Sequence, residues 1–186
     1  LCVSLCTGLW AGARQRQLSG ELVRLHVIAQ SDSSEDQQLK LKVRDSVLAA
    51  LEPRLKDAEN PQEAAAIIEE SLPLLCDIAD IVSKNAGMDY SSTSSLDVEN
   101  YPSRKYEGFA LPAGDYLSLK ISLGDGGGQN WWCVVFPPLC LNAASETEAI
   151  EALSDSSQEI ITLNGEEYRL KFHVIEIYEK LRSYLT

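Results

Sequence analysis

The chain has 186 residues, 45% hydrophobic and 24% charged, which is the composition of a globular protein long enough for one well-buried domain. Its 28 Asp and Glu outnumber 16 Lys and Arg, giving a formal net charge of −12. That balance argues against nucleic acid and against an electrostatic hold on anionic lipid, since no basic stripe is present to neutralise phosphates.

The first thirteen residues, Leu1 to Ala13, are apolar and too short to span a bilayer alone. They read as the tail of a signal peptide or membrane anchor, which predicts export. Residues 1–20 are therefore expected to be a targeting remnant followed by a polar linker from Arg14 to Gly20, with residues 21–186 forming a single domain. Glu21 to Gln30 alternates as a first strand, with Val23, Leu25, Val27 and Ala29 on one side and Leu22, Arg24, His26 and Ile28 on the other. Ser31 to Asp36 is turn chemistry ending in a helix start, Ser33 with Asp36 or Ser34 with Gln37.

A helix is expected from about Glu35, with Leu39, Val43, Val47, Ala50 and Leu51 on one arc. Lys40 and Arg44 interrupt that arc and must snorkel if it is buried. Pro53 should kink or end this helix. Asn60-Pro61-Gln62-Glu63 supplies an N-cap, a proline at the first helical position and an acid three residues beyond the cap. Helical spacing then runs to Gly87, with a kink expected at Pro73, so the two helices should form a hairpin packed on a sheet.

Met88 to Glu99 is Ser-rich and alternates, as an edge strand would. Asp115 to Leu123 and Trp131 to Phe136 read as a β-hairpin joined by the glycine-rich loop from Gly124 to Asn130. The second of these strands is apolar on both sides, with Trp131, Cys133 and Val135 facing one way and Trp132, Val134 and Phe136 the other, and so reads as a central strand. The glycines lack a following Gly-Lys-Ser/Thr and helix, so a turn is a better reading than a phosphate cradle. Trp131 and Trp132 should divide their work, one in the core and the other an exposed binding anchor. Beyond Leu141 the pattern predicts an acidic helix over Ala143 to Leu153, a polar connection from Ser154 to Glu167, a strand over Tyr168 to Phe172 and a terminal helix. The acids Glu146, Glu148, Glu151, Asp155, Glu159, Glu166 and Glu167 have no Lys or Arg among them, the pattern of a solvated surface rather than a docking face. The fold class is α+β, a mostly antiparallel sheet with a helical hairpin and further helices packed on it.

Export makes Cys133 and Cys140 a disulfide candidate, while Cys76, on an apolar helix face, reads as a small core residue. Zinc would need two more ligands, and neither His26 nor His173 stands in a metal-binding spacing relative to the pair. No metal and no cofactor are expected. Cys133 is the one attractive nucleophile, with His26 or His173 as base, yet a Cys in a strand apolar on both sides should be buried and its thiol pKa raised. No catalytic residue is assigned.

Three runs together resemble the stage II sporulation protein R family: Arg24 to Ser33, Asp36 to Asp45, and Leu111 to Tyr116 continuing through Gly124, Gly126 and Gly128 to Asn130-Trp131-Trp132-Cys133-Val134-Val135-Phe136-Pro137-Pro138-Leu139-Cys140. The resemblance spans about Leu22 to Leu141. It implies an exported signalling protein rather than an enzyme, secreted from the forespore into the intermembrane space. Its implied partner is a membrane-bound sporulation aspartic protease, the sigma-E factor-processing peptidase, which matures pro-sigma-E. Membrane contact would come only through the N-terminal targeting segment, as an anchor if that segment is retained. Asp125, Gln129, Asn130, Trp131 and Trp132 are the candidate partner-binding residues. The alternative reading is an exported cysteine-dependent hydrolase using Cys133.

Overall fold

The computed structural model describes residues 12–106, 109–139, 150–161 and 177. In chain order the elements are α1 (residues 12–20), β1 (Val23–Ile28), α2 (Ser34–Leu55), α3 (Pro61–Asn85), β2 (Ser92–Tyr101), β3 (Arg104–Lys105), β4 (Ala110–Leu111), β5 (Gly114–Leu123), β6 (Asn130–Phe136) and α4 (Asp155–Ile161). Four strands form one sheet in the order β2-β5-β1-β6, and β3 pairs with β4 beside it. The sheet is mixed: β1 runs parallel to β5, while β1 with β6 and β2 with β5 are antiparallel. With the α2–α3 hairpin packed on it, the architecture is α+β, as the pattern predicts.

Alternation along Leu22 and β1 separates two cores. Val23, Leu25 and Val27 join Leu119 and Ile121 of β5, Leu39, Val43, Val47 and Leu51 of α2, and Ile68 and Leu75 of α3. On the opposite face Leu22 joins Leu18, Tyr101, Leu111, Tyr116, Val134, Leu153 and Ile160. The helix starts form as their residues demand. Ser33 Oγ accepts from the Asp36 amide at 3.1 Å, and Asn60 Oδ1 accepts from the Glu63 amide at 2.9 Å. Glu63 reaches back to accept from the Glu59 amide at 2.9 Å. Pro53 lies in the last turn of α2, and α3 runs through Pro73.

Four expectations are corrected. Among the described residues β6 has β1 as its one strand neighbour and lies at the sheet edge, while β1 is central. Side chains covered on both faces do not require strand neighbours on both sides, and layer burial and lateral pairing leave the same apolar pattern. β5 and β6 do not form a hairpin either, because β1 lies between them. The glycine-rich loop spans two interstrand spacings, about 10 Å, and crosses the end of β1. Third, residues 12–20 are helical rather than a linker, with Gln15 and Leu18 buried. Fourth, Asp155–Ile161 is a helix where a polar connection was expected. A smaller departure concerns Phe136. A register shift between Val23 and Arg24 gives β6 one extra residue, so Phe136 packs with Cys133 and Val135 on the helix side instead of with Val134. Residues 143–149, the strand expected at 168–172, nearly all of the terminal helix and His173 lie outside the described residues, as does Cys140.

Leu119 is fully buried between the sheet and the helical hairpin, whereas Val98 on β2 is 69% exposed. Leu119→Ala is expected to cost about 2–5 kcal/mol in urea unfolding, and Val98→Ala to change stability by less than about 0.5 kcal/mol.

Candidate functional site

The loop after β5 is shaped by contacts that only glycine permits. Gly124 has φ of +57°, and a Cβ there would meet Gln30 Oε1 at 1.9 Å. At Gly128 a Cβ would lie 2.3 Å from the Ser31 carbonyl oxygen. The backbone thus lies directly on the β1–α2 turn: Gly127 N donates to Gln30 O (3.2 Å), Gly128 N to Ala29 O (2.9 Å) and Gln129 N to Asp32 Oδ1 (2.9 Å). Gln30 closes the other side, accepting from the Asp125 amide at Oε1 and donating to Asp125 Oδ2 at 3.4 Å.

From beneath, α2 supplies the two cations that interrupt its apolar arc. Lys40 is buried, and its Nζ donates to Gln129 O at 2.9 Å and to Gln37 Oε1 at 2.6 Å. Burial pulls the Lys40 pKa down, while Asp32 opposes that shift. Arg44 is only partly buried; its guanidinium stacks 4.4 Å from the centre of the Trp131 ring and pairs with Asp45 at 2.6 Å. Asp36, one turn earlier, accepts from the hydroxyls of Ser31 and of Tyr90, the latter at 2.8 Å. The Ser31 bond does most to hold the Asp36 carboxyl below the usual range, against burial and with help from Tyr90 and Ser33.

The sheet separates the five residues singled out by sequence. Trp131 lies on the helix side beside Arg44 and is 36% exposed. Asp125 and Gln129 are exposed at the sheet end. Asn130 and Trp132 take the opposite side with His26: Asn130 Oδ1 lies 2.8 Å from His26 Nε2, and the half-buried Trp132 ring stacks on the imidazole at 5.7 Å. Arg104 covers Trp132 at 3.8 Å. His26 Nδ1 is 3.0 Å from Glu99, which also pairs with Lys120 at 3.3 Å. Burial would raise the Glu99 pKa, yet the hydrogen bonds of Ser118, His26 and Lys120 keep it below the ordinary value. Of the two tryptophans, Trp131 is thus the exposed one.

Sequence reasoning passed over the group beneath. Arg24 is fully buried, donating from Nη2 to the Tyr106 hydroxyl at 2.6 Å and from Nε to Cys133 O at 3.4 Å, with its guanidinium 3.9 Å from the Tyr101 ring centre. Burial pushes the Tyr101 and Tyr106 hydroxyls up, so both stay neutral beside it. The one available signal was a charged residue on the inward side of an otherwise apolar strand.

Cys133 is 4% exposed and packs in the helix-side core, whereas His26 projects from the other face of the sheet. These two residues therefore form no thiol–imidazole pair. Cys76 is a free thiol that donates to Ser92 O at 3.0 Å, and burial raises its pKa. Among the described residues no group of three or more His, Cys, Asp or Glu is placed to hold a metal ion. An apolar groove of about 830 Å3 opens between the end of α2 and β6, lined by Leu51, Leu55, Phe136 and Pro137 with Glu52 and Glu59 at its edge.

The hydrogen bonds to Asp36 favour its ionised form, so their contribution is full above the ordinary aspartate pKa and is lost as the pH falls through the lowered one. Asp36→Asn is expected to cost about 1–3 kcal/mol at pH 7 and to make unfolding less steeply pH-dependent below about pH 4, measured by urea titrations across pH.

A family model described as Stage II sporulation protein R (spore_II_R) matches residues 19–146. Stage II sporulation protein R of Bacillus subtilis (strain 168) is 38% identical over 135 residues, covering 73% of this chain and 60% of that protein. The match thus spans less than two thirds of the relative's length. No solved structure is significantly similar.

Proposed function

The chain belongs to the stage II sporulation protein R family, which supports a role in sporulation, and on that premise we propose that it is an exported, non-catalytic signal. In this reading it is secreted from the forespore into the intermembrane space and activates a membrane-bound aspartic protease that processes pro-sigma-E. The observation that carries a contact role is the rim at the end of β1. There the three runs that resemble the family come together: Gln30 to Ser33, then Asp36, Lys40 and Arg44, then Gly124 to Trp132. Trp131 projects from that rim as a stacked aromatic, the kind of side chain that anchors protein interfaces.

Activation is a population shift, with this protein binding the active form of the protease more tightly than the idle form. The rim suits that task because its loop is held by hydrogen bonds before any partner arrives, which lowers the ordering cost of binding. The hydrolase alternative is disfavoured by the burial of Cys133 and its separation from His26 across the sheet. We also carry forward the pairing of Cys133 with Cys140 as a proposal. β6 ends at Phe136 and the Leu139 amide donates to Pro137 O at 2.8 Å, so the chain turns before residue 140.

Reconstituted pro-sigma-E processing tests this reading. Trp131→Ala is expected to weaken protease binding about 30-fold or more while leaving urea unfolding nearly unchanged. Folded His26→Gln and His173→Ala variants should retain activation, and loss of activity in either would favour the enzyme. Cys133→Ala and Cys140→Ala should destabilise the protein similarly, by about 2.5 kcal/mol on the loop-entropy estimate. Loss of activity from Cys133 alone would instead mark a nucleophile.

A further inference from the structure

We propose that the outer edge of β2 is a strand-addition site that takes an extended polypeptide segment with apolar residues on one face and Lys or Arg on the other. This inference does not depend on which protein the rim contacts. β2 is ten residues long and pairs residue for residue with β5 from Ser92 to Tyr101, without a bulge. On its other side it has no strand neighbour among the described residues. The direction of its backbone groups follows from two bonds. Ser91 O accepts from Gly124 N, facing β5, while Ser92 N and O turn the other way to Asp80 and Cys76 of α3. Alternation then points the N–H and C=O of Ser94, Leu96, Val98 and Asn100 outward.

α3 closes only the start of this edge, through Ser92 and through Ser94 Oγ, which donates to Leu72 O at 2.8 Å. Beyond it, no hydrogen bond among the described residues reaches the outward backbone groups of Leu96, Val98 or Asn100. Soluble proteins protect such edges with proline, lysine, bulges or a covering element. The sequence Ser-Thr-Ser-Ser-Leu-Asp-Val-Glu-Asn-Tyr contains none of the first two, and the ladder has no bulge. Strand addition uses this kind of edge, main-chain bonds giving affinity and alternate side chains specificity.

Side-chain directions define the partner. Leu96 and Val98 stand opposite Leu119 and Leu117 on the helix side, and Val98 is 69% exposed, so an added strand would present a β-branched or other apolar residue beside them. Asp97 and Glu99 stand on the other side, where Asp97 is exposed without an ion pair among the described residues. A basic residue on the incoming strand would face Asp97. A second copy is the poorer occupant: β2 against its twin would bring these acids together, on chains that each carry −12.

Amide hydrogen exchange of the full chain, followed by NMR, tests the site with two synthetic heptapeptides, Lys-Val-Lys-Val-Lys-Val-Lys and Glu-Val-Glu-Val-Glu-Val-Glu. The lysine peptide is expected to slow exchange at Leu96, Val98 and Asn100, and the glutamate peptide to leave it unchanged. Val98→Pro removes an outward N–H without touching the β5 ladder, a position where proline is tolerated, and should abolish the protection. Asp97→Lys, at an exposed position, should weaken the lysine peptide about tenfold, which keeps the test decisive if the proline variant fails to fold. Equal protection by both peptides, protection confined to other amides, no protection by the lysine peptide, or unchanged binding in the variants would overturn the proposal. Protection that rises with protein concentration in the absence of peptide would assign the edge to a second copy and overturn it as well.

Discussion

Everything in this molecule depends on β1 being a strand buried on both faces and paired on both sides. Its six residues lie between a parallel and an antiparallel neighbour; Val23, Leu25 and Val27 feed one core, while Leu22 just before the strand joins a second core and the buried Arg24 faces that side. Such a strand leaves no backbone group free along its length. Only at its end, past Ile28, can another segment reach it, and there the glycine loop lies across Ala29 and Gln30. The position of the candidate contact surface is thus a consequence of sheet order.

Polar groups that oppose folding elsewhere hold this end together. Lys40 and Asp36 are both buried on the first turns of α2, and each has hydrogen-bonding partners. A buried ammonium or carboxylate left without such partners would cost several kcal/mol, so the turn, the loop and the helix can exist only in one mutual arrangement. Trp131, with the half-buried Arg44 stacked on it, then forms the outer layer over that frame. A surface held this way binds with less loss of freedom than a mobile loop of the same composition.

The second face uses a different solution to the same problem. Arg24 has no carboxylate beside it among the described residues and is held by tyrosine hydroxyl, backbone carbonyl and two aromatic rings. Ring faces carry negative potential and stabilise a guanidinium without bringing in a second charge to desolvate. Farther along the same face His26, Glu99, Lys120 and Asn130 form a partly solvated polar row. The two faces of β1 therefore differ in kind: one is a hydrocarbon interface with a helical hairpin, the other an aromatic and charged layer.

Local chemistry was legible in the chain because it depends on near neighbours. Ser33 and Asn60 cap helices by accepting from the amides three residues ahead, the alternation of β1 names its inward residues, and the glycines of residues 124–128 announce a tight path for the backbone. Lys40 and Arg44 could be seen to need an escape from an apolar arc, and they find it in Gln129 and Trp131. Strand order was not legible. The double-sided apolar pattern of β6 marks coverage by layers above and below, which is independent of whether a strand lies on each side; among the described residues β6 lies at the sheet edge, and β1 separates it from β5, so the expected hairpin is a crossover. The helix at residues 12–20 was hidden because only Gln15 and Leu18 turn inward, and a polar surface helix has the composition of a linker. Sequence by itself determined β1, α2, α3, β2, β5 and β6, the two helix caps and the family. Tertiary structure alone decided which strands are neighbours, which tryptophan stays exposed and which side of the sheet each polar group occupies, because those follow from contacts between residues tens of positions apart.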